Sequence, residues 1–465
     1  MSGFRWTDAD VRRALGLGLE GVRDDLAFSG VSTDTRQLSG GELYVALVGE
    51  RFDGHDFRAE ALAKGARGVV VSRPVSVDAD APHYTVPDTL VALGALAQHR
   101  RAELAAPVVA LTGSSGKTTT KDFTAAALAT TLRVHATHGN LNNRVGVPLT
   151  LLAAPSDAEA VVLELGSNEP GEIRALAQVA RADIGVVTTV GESHLERLGS
   201  LEGVLEEKLD LLRNLSAGGR CLVGDEPEVL AARARDVCTD LRVAGWTERA
   251  DPELRPADAR ADASGRYAFV WRGVSATVPL AGRHAVSDAL LALAVADLLG
   301  VPPEEAVRGL ARAETSHMRG QTRRIGNLSI VVDCYNANPQ SVRASLDVLE
   351  GQSTATRRVA VLGTMLELGD ASERLHREVL SEALRRDIEL IAATGAFAEA
   401  ARSLGAAESQ RVISAPDWRA AYPTLRGMLA GDEIVLLKAS RGVALEGILA
   451  LLERDFSTSG GAVEA

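Results

Sequence analysis

The apolar run Val108-Val-Ala-Leu111 meets the turn Thr112-Gly-Ser-Ser-Gly116, then Lys117, three threonines and a stretch read as helix over Asp122–Leu132. That succession constrains the fold more than any other segment. A strand that turns through glycines into a helix belongs to a sheet with helical crossovers. It also gathers backbone N–H groups and the positive helix end at one point, where Lys117 adds its charge. Such a point binds phosphate, and the Thr118 hydroxyl can join a magnesium shell. The spacing is unusual. Only Ser114 and Ser115 separate Gly113 from the Gly116-Lys117 pair, a shorter interval than in the common G-x-x-x-x-G-K loop.

The rest of the chain extends the alternation. Leu43–Leu47 and Gly68–Ser72 read as strands, Phe57–Gly65 as a helix, and Asp88–Ala102 as a helix leading into the loop strand. Val161–Leu165 and Ile184–Thr188 have the continuous apolar character of parallel strands, and His284–Leu299 that of a buried helix. Past Thr315 a second unit alternates. Its strands are Leu328–Val332, Arg358–Leu362, Leu390–Thr394, Val412–Ser414 and Ile434–Lys438; its helices are Ser341–Glu350, Ser372–Arg385, Phe397–Leu404 and Trp418–Leu429. With 465 residues, several domains are expected. The expectation is an α/β protein of three: a small N-terminal α/β domain over 1–87, a doubly wound parallel sheet over 88–316, and a Rossmann-like domain over 317–465. The small, polar end Ser457–Ala465 reads as frayed.

Composition removes some functions. A net charge of −12 argues against a nucleic-acid binder with a broad basic face. The N-terminus mixes charged with apolar residues and lacks signal-peptide form, and no uncharged apolar run is long enough to span a bilayer. Cys221, Cys238 and Cys334 have neither zinc spacing nor the pattern of a disulfide framework, which fits a reduced cytoplasm.

Other polar clusters sit where a core has no use for them. Gly139-Asn-Leu-Asn-Asn143 is rich in amides. Glu164 ends an apolar strand, so its carboxylate faces the ligand crevice and is a candidate metal ligand. His194 and Glu196 follow another strand, with Lys208 a helix away. Asp333-Cys-Tyr-Asn-Ala-Asn-Pro339 follows a third, and Asp34-Thr-Arg36 and Gly49-Glu-Arg-Phe-Asp-Gly-His55 stand out before the loop. Each has a plain alternative. A strand-end glutamate is more often structural, a lone histidine more often packed, and Lys208 can pair with its acidic helix neighbours. Asp333–Pro339 can be an Asx turn capping the next helix.

Together these segments resemble the Mur ligases, ATP-dependent amide-forming enzymes of peptidoglycan synthesis. The carriers are Ser32-Thr-Asp-Thr-Arg36, Thr112-Gly-Ser-Ser-Gly-Lys-Thr-Thr119, Gly139-Asn-Leu-Asn-Asn-Arg-Val-Gly-Val-Pro148, Glu164-Leu-Gly166, His194-Leu-Glu196, Gly282-Arg-His284, Tyr335-Asn-Ala-Asn-Pro339, Met365-Leu-Glu-Leu-Gly369 and Lys438-Ala-Ser-Arg441. The Asn-rich turn and Tyr-Asn-Ala-Asn-Pro point to the branch that adds D-alanyl-D-alanine to UDP-N-acetylmuramoyl-tripeptide. Sibling readings are another Mur ligase or a folylpolyglutamate-synthase-like ligase; a phosphate-loop ATPase that makes no bond is the reading from another class.

The resemblance implies ATP, two magnesium ions, and CO2 held as a carbamate on Lys208. Thr112, Gly113, Ser114, Ser115, Gly116, Lys117, Thr118 and Thr119 would hold the phosphates, aided by Asn142 and Asn143. Thr118 and Glu164 would bind one magnesium, and His194 and Lys208 the second, with Lys117, His194 and Lys208 serving catalysis. Arg283, His284, Asp333 and Asn336 would reach the nucleotide, as would Asp288 at the adenine. Ser32, Asp34, Thr35, Arg36, Asp53 and His55 would face the UDP-sugar, and Asn336, Asn338, Lys438, Ser440 and Arg441 the amino substrate. A cytoplasmic monomer that neither inserts in membranes nor binds nucleic acid is expected. The chain departs from the family at Asp288, where asparagine is usual, and at Thr364, where aspartate is usual.

Overall fold

The computed structural model describes residues 4–73, 81–352 and 356–457. From 458 onward the expected frayed end lies outside them.

The strand Val108–Thr112 is buried along its whole length, and so are Ala160–Glu164 and Ile184–Val187 on either side of it. Runs without alternation suit a sheet covered by helices on both faces. The sheet has six parallel strands in the order Leu241–Ala244, Arg220–Gly224, Ile184–Val187, Val108–Thr112, Ala160–Glu164, Val134–Ala136. The chain runs from Val108–Thr112 to one edge and returns to build the other side. The order therefore reverses beside the phosphate-loop strand, where doubly wound sheets open a ligand crevice.

The helix after the loop spans Lys117–Leu128, starting earlier and ending earlier than the sequence suggests. Gly116, at φ +80°, turns the chain directly into it. The threonines, poor helix formers when exposed, are tolerated because Thr118, Thr120 and Thr124 are buried. The apolar helix Arg283–Leu298 packs against it and is buried on nearly every side, because the helix Pro303–Ala311 and the strand Val274–Ala281 cover its remaining faces.

That strand belongs to a feature that strand-helix alternation does not anticipate. Ala257–Ala261, Arg266–Trp271 and Val274–Ala281 form an antiparallel three-stranded sheet inside a region expected to alternate simply. Val274–Ala281 does alternate, its Ala276, Val278 and Leu280 facing the core. Gly265 and Gly273, both at positive φ, make the turns.

The N-terminal sheet is parallel: Val31–Ser32, Leu43–Val45, Gly68–Val71, His83–Thr85. The C-terminal sheet runs Gln321–Ile325, Leu328–Asp333, Ile434–Lys438, Arg358–Leu362, Leu390–Thr394, Val412–Ala415. Its first strand is antiparallel to its neighbour; the others are parallel.

One expectation is corrected. Cys221 and Cys238 form a disulfide, with Cα atoms 6.5 Å apart. The helix Glu228–Arg235 carries the chain away from the strand holding Cys221 and back, so that Cys221 N donates to Asp240 O. A spacing that resembled no framework is closed by the crossover. Cysteine use therefore gives no support to a reduced compartment. Among the described residues, no helix is long and apolar enough to cross a membrane.

Candidate active site

The phosphate loop is held open by its own backing. Ser114 N donates to Thr189 O at 2.8 Å, and a Cβ at Gly113 would collide with Thr188 Oγ1. Ser114 Oγ donates to Gly191 O, and the Thr112 hydroxyl to Leu165 O just past the end of the neighbouring strand. Lys117 folds back to donate to Gly113 O at 2.6 Å. Burial holds its pKa below the usual lysine range; Glu164 opposes that shift, and the Arg319 cation adds to it.

Glu164 emerges from the sheet directly beside the loop. Its Oε2 accepts from Thr118 Oγ1 at 2.8 Å and its Oε1 from Asn142 Nδ2 at 2.9 Å. The structure thus brings Lys117, Thr118, Asn142 and Glu164 together. Asn143 is engaged elsewhere, its Oδ1 accepting from Val145 N and Gly146 N at the start of the helix Gly146–Ala153.

Lys208 is 1% exposed, and its Nζ donates to Ser167 Oγ at 2.7 Å. Burial, reinforced by Lys117, pushes its pKa down to about 7, against weaker attraction from Glu207 and Glu172. His194 sits at φ +54° with Nδ1 2.5 Å from Glu367 Oε2. This pairing holds the Glu367 carboxyl below the usual range. The backbone reinforces it, Glu196 N donating to Glu367 O. The second unit thereby reaches the central one through a residue of the Met365–Gly369 motif to which the sequence assigns no role.

The same unit also touches the phosphate loop. Asn338 caps the helix Pro339–Glu350 through Ser341 N, and its Nδ2 donates to Ser114 O at 3.2 Å. Gln340 Nε2 donates to Thr189 Oγ1 at 2.7 Å. These contacts define a closed arrangement and separate two roles of one side chain. Asn338→Asp keeps the cap but loses the donor, so near-native stability with a more expanded X-ray scattering profile is expected. Asn338→Ala loses both and should also cost about 1 kcal/mol in denaturant titration. A compact Asn338→Asp protein would show that the bond to Ser114 does not hold the units together.

Asp333 and Lys438 lie opposite one another on adjacent strands and pair at 2.7 Å, with Ser345 Oγ donating to the same carboxylate oxygen. His284 faces this pair, and burial lowers its pKa against the pull of Asp333. Asn336 Oδ1 accepts from Ala337 N in a local turn. Ser440 Oγ donates to Ala337 O and accepts from Leu366 N, and Arg441 pairs with Glu446. The Arg283 guanidinium lies 4.3 Å from the Trp246 ring centroid, and that of Arg319 lies 4.0 Å from the centroid of Tyr335. Arg319 is a further residue that sequence reasoning misses, although its charge beside the domain junction is the available signal.

The N-terminal candidates lie in their own layer. Arg36 pairs with Asp34 on the surface, Ser32 Oγ donates to Asp34 O, and Thr35 Oγ1 donates to Glu60. His55 Nδ1 donates to Asp53, and its Nε2 accepts from Ser72 N, so both ring nitrogens brace the turn.

Among the described residues no three His, Cys, Asp or Glu side chains gather as a ready-made metal cluster. Thr118 and Glu164 nevertheless fit a magnesium that keeps waters and binds phosphate oxygens, since both offer hard oxygen donors. The second position fits less readily. His194 is engaged by Glu367, and Lys208 as an amine supplies no anion.

Fold and site define a phosphate-loop protein with a second α/β unit closed onto its loop. The chain belongs to the Mur ligase family. Three family descriptions match in chain order: Mur ligase family, catalytic domain, over 27–101; Mur ligase middle domain over 111–296; and Mur ligase, glutamate ligase domain, over 318–441. The UDP-N-acetylmuramoyl-tripeptide--D-alanyl-D-alanine ligase of Bacillus subtilis is 37% identical over 428 residues, covering 90% of this chain and 92% of the relative. The Escherichia coli protein of that name is 34% identical over 443 residues, covering 93% and 95%. A crystal structure of MurF from Acinetobacter baumannii superimposes with a TM-score of 0.88 at 29% identity, covering 98% of this chain and all of that one. MurF ligase from Thermotoga maritima, in complex with ADP, gives 0.80 at 26% identity, covering 94% and 99%.

Proposed function

We propose that this chain is an ATP-dependent ligase joining D-alanyl-D-alanine to UDP-N-acetylmuramoyl-tripeptide, with the pentapeptide precursor of peptidoglycan, ADP and phosphate as products. The match to relatives of that name over nine-tenths of both chains carries the reading. The reaction has two parts. The tripeptide carboxylate attacks the γ-phosphorus of ATP to give an acyl phosphate. The amine of D-alanyl-D-alanine then attacks the acyl carbon, and phosphate leaves.

The first part is mainly positioning and charge compensation. Lys117 and the loop N–H groups offset charge on the β and γ phosphates. Thr118 and Glu164 would hold magnesium, which supplies further compensation when bound. Arg319, close enough to Lys117 to depress its pKa, lies on the C-terminal side of the same centre. It adds positive charge only when the two units are closed.

Lys208 fits the carbamate reading chemically. Only an unprotonated amine attacks CO2, and burial brings this amine's pKa down to about 7. The product carries a negative charge where the ammonium was positive. It would complete, with His194, a second magnesium position. The N-terminal layer, residues 1–87, would hold the UDP-sugar through Ser32, Asp34, Thr35, Arg36, Asp53 and His55. The layer over 317–465 would bring the amino substrate through Asn336, Asn338, Lys438, Ser440 and Arg441. Arg283, His284 and Asp333 would meet the nucleotide. We place the enzyme in the cytoplasm as a monomer.

The test is a product assay by mass spectrometry with UDP-N-acetylmuramoyl-tripeptide, D-alanyl-D-alanine, ATP and magnesium. The expected result is the pentapeptide, with ADP released in equal amount and only when both acceptors are present. ATP hydrolysis that ignores the acceptors, with no new amide, would overturn the reading.

A further inference from the structure

Asp288 is a carboxyl set against the phosphate loop. It lies in the second turn of the helix Arg283–Leu298, where that helix crosses Lys117–Leu128, and is 7% exposed. Its Oδ1 accepts from Thr120 Oγ1 at 3.1 Å, and Thr120 is itself wholly buried. The same carboxyl fills the space a side chain at Gly116 would need: a Cβ there would meet Oδ1 at 2.3 Å. Gly116 is the residue from which the loop enters its helix. Asp288 is thus wedged between the loop backbone and the second turn of the phosphate-binding helix.

The charged groups around it are engaged elsewhere. On the phosphate-loop helix, Lys117 bonds to Gly113 O, and Lys121 bonds to Thr137 O and pairs with Asp122. On its own helix, Arg283 covers Trp246, His284 faces Asp333, and Asp297 pairs with Arg242 and Arg272 at the far end. Glu305 and Arg308, on Pro303–Ala311, pair with each other, and that helix's Glu304 is exposed. Glu253, on Pro252–Leu254, is exposed, and Arg220 opens its strand at the edge remote from the loop. Val274–Ala281 carries no charge. Among the described residues, Thr120 is the polar partner that the Asp288 carboxyl has. A buried carboxyl without a cation favours its neutral form, and burial pushes this one up to about 8.

We propose that Asp288 is a positioning residue that admits nucleotide to the phosphate loop in its neutral form and opposes it when ionised. This rests on the nucleotide reading of the loop. An ionised carboxylate behind Gly116 places negative charge on the protein side of N–H groups that must face polyphosphate. Its field cancels part of what the loop and Lys117 provide. The neutral acid keeps the wedge and the Thr120 bond without that field.

ADP in magnesium buffer is the probe, its affinity measured by calorimetry from pH 7 to pH 9 on the full chain. A group ionising at about 8 that must be neutral for binding weakens affinity about tenfold over that range. Asp288→Asn keeps the shape and cannot ionise, so its affinity should fall by less than about threefold. Thr120→Val removes the donor that favours the ionised form, so the native inflection should move to higher pH. A purely structural role would shift affinity at every pH and leave the slope alone. Parallel slopes in the native and Asp288→Asn proteins, or an unmoved inflection in Thr120→Val, overturn the proposal while leaving the nucleotide reading intact. ADP that fails to bind even at pH 7 overturns the nucleotide reading itself.

Discussion

Lys117→Ala is expected to lose ligase turnover by about a thousandfold or more while keeping its fold, because its ammonium serves charge that develops on the phosphates. The structure separates the two effects. Among the described residues, the one hydrogen bond its Nζ makes is to Gly113 O in its own loop. That bond ties no element to another, so the loop keeps its shape through Ser114 N, Ser114 Oγ and the Thr188 backing. The ammonium is also a stability cost. Burial and the Arg319 cation both disfavour its charged form, so its pKa is lowered on folding. For a base with a lowered pKa, the native state binds fewer protons than the unfolded state between the two pKa values. Stability then rises with pH through that window, and the lysine costs most below it. Lys117→Ala should therefore melt no lower than the native protein near neutral pH, and with a flatter dependence on pH. Turnover followed by ADP release and melting followed by circular dichroism give the two readings. Near-native turnover would remove Lys117 from the chemistry.

The sequence made the doubly wound core legible because its strands carry one signal, continuous burial. Val108–Leu111, Val161–Leu165 and Ile184–Thr188 each fall on an observed strand to within a residue at either end. The antiparallel sheet at 257–281 escaped because Ala257–Ala261 is mostly exposed and made of Ala, Arg and Asp, Arg266–Trp271 is only partly buried, and only Val274–Ala281 alternates cleanly. The site divides in the same way. Thr118 and Glu164 are legible because both stand at ends of elements whose direction the motif dictates. The pairing of Asp333 with Lys438 depends on strand order: their strands are adjacent only because Ile434–Lys438, last of the set in sequence, inserts beside Leu328–Asp333. No local pattern encodes that insertion. The contacts of Glu367 with His194 and of Asn338 with Ser114 depend on how two units meet, which is a further step from periodicity. Asn143 and His55 also have structural bonds that their polarity alone does not reveal. Asn143 accepts from backbone N–H groups of its own turn, and His55 from Ser72 N after the strand Gly68–Val71.

Lys208→Ala is expected to be nearly inactive, by about a thousandfold or more, and to recover in part when acetate is added. The alternative from sequence is a lysine solvated among Glu206, Glu207 and Asp210. The structure engages those acids elsewhere. Glu207 accepts from Gly171 N and Ile173 N, Glu206 pairs with Arg213 and Arg233, and Asp210 pairs with Arg174 and Arg213. Lys208 is left buried against Ser167, with the Lys117 cation lowering its pKa. A buried ammonium near a second cation is a poor final state, which is why conversion to an anion suits the site. With a pKa of about 7, the free amine gains on the ammonium as pH rises through neutrality. Bicarbonate should therefore restore enzyme depleted of CO2 more fully at pH 8 than at pH 6. Alanine leaves a gap the size of the lost side chain, and a small carboxylate can enter it and supply the missing negative charge. Propionate, longer by one methylene, should rescue less well than acetate if the gap is tight. Rescue by acetate but not by methylammonium would show that the site requires an anion. Rescue by methylammonium, or wild-type activity without any addition, would show that the lysine acts as an amine or as packing, and the carbamate reading would fall.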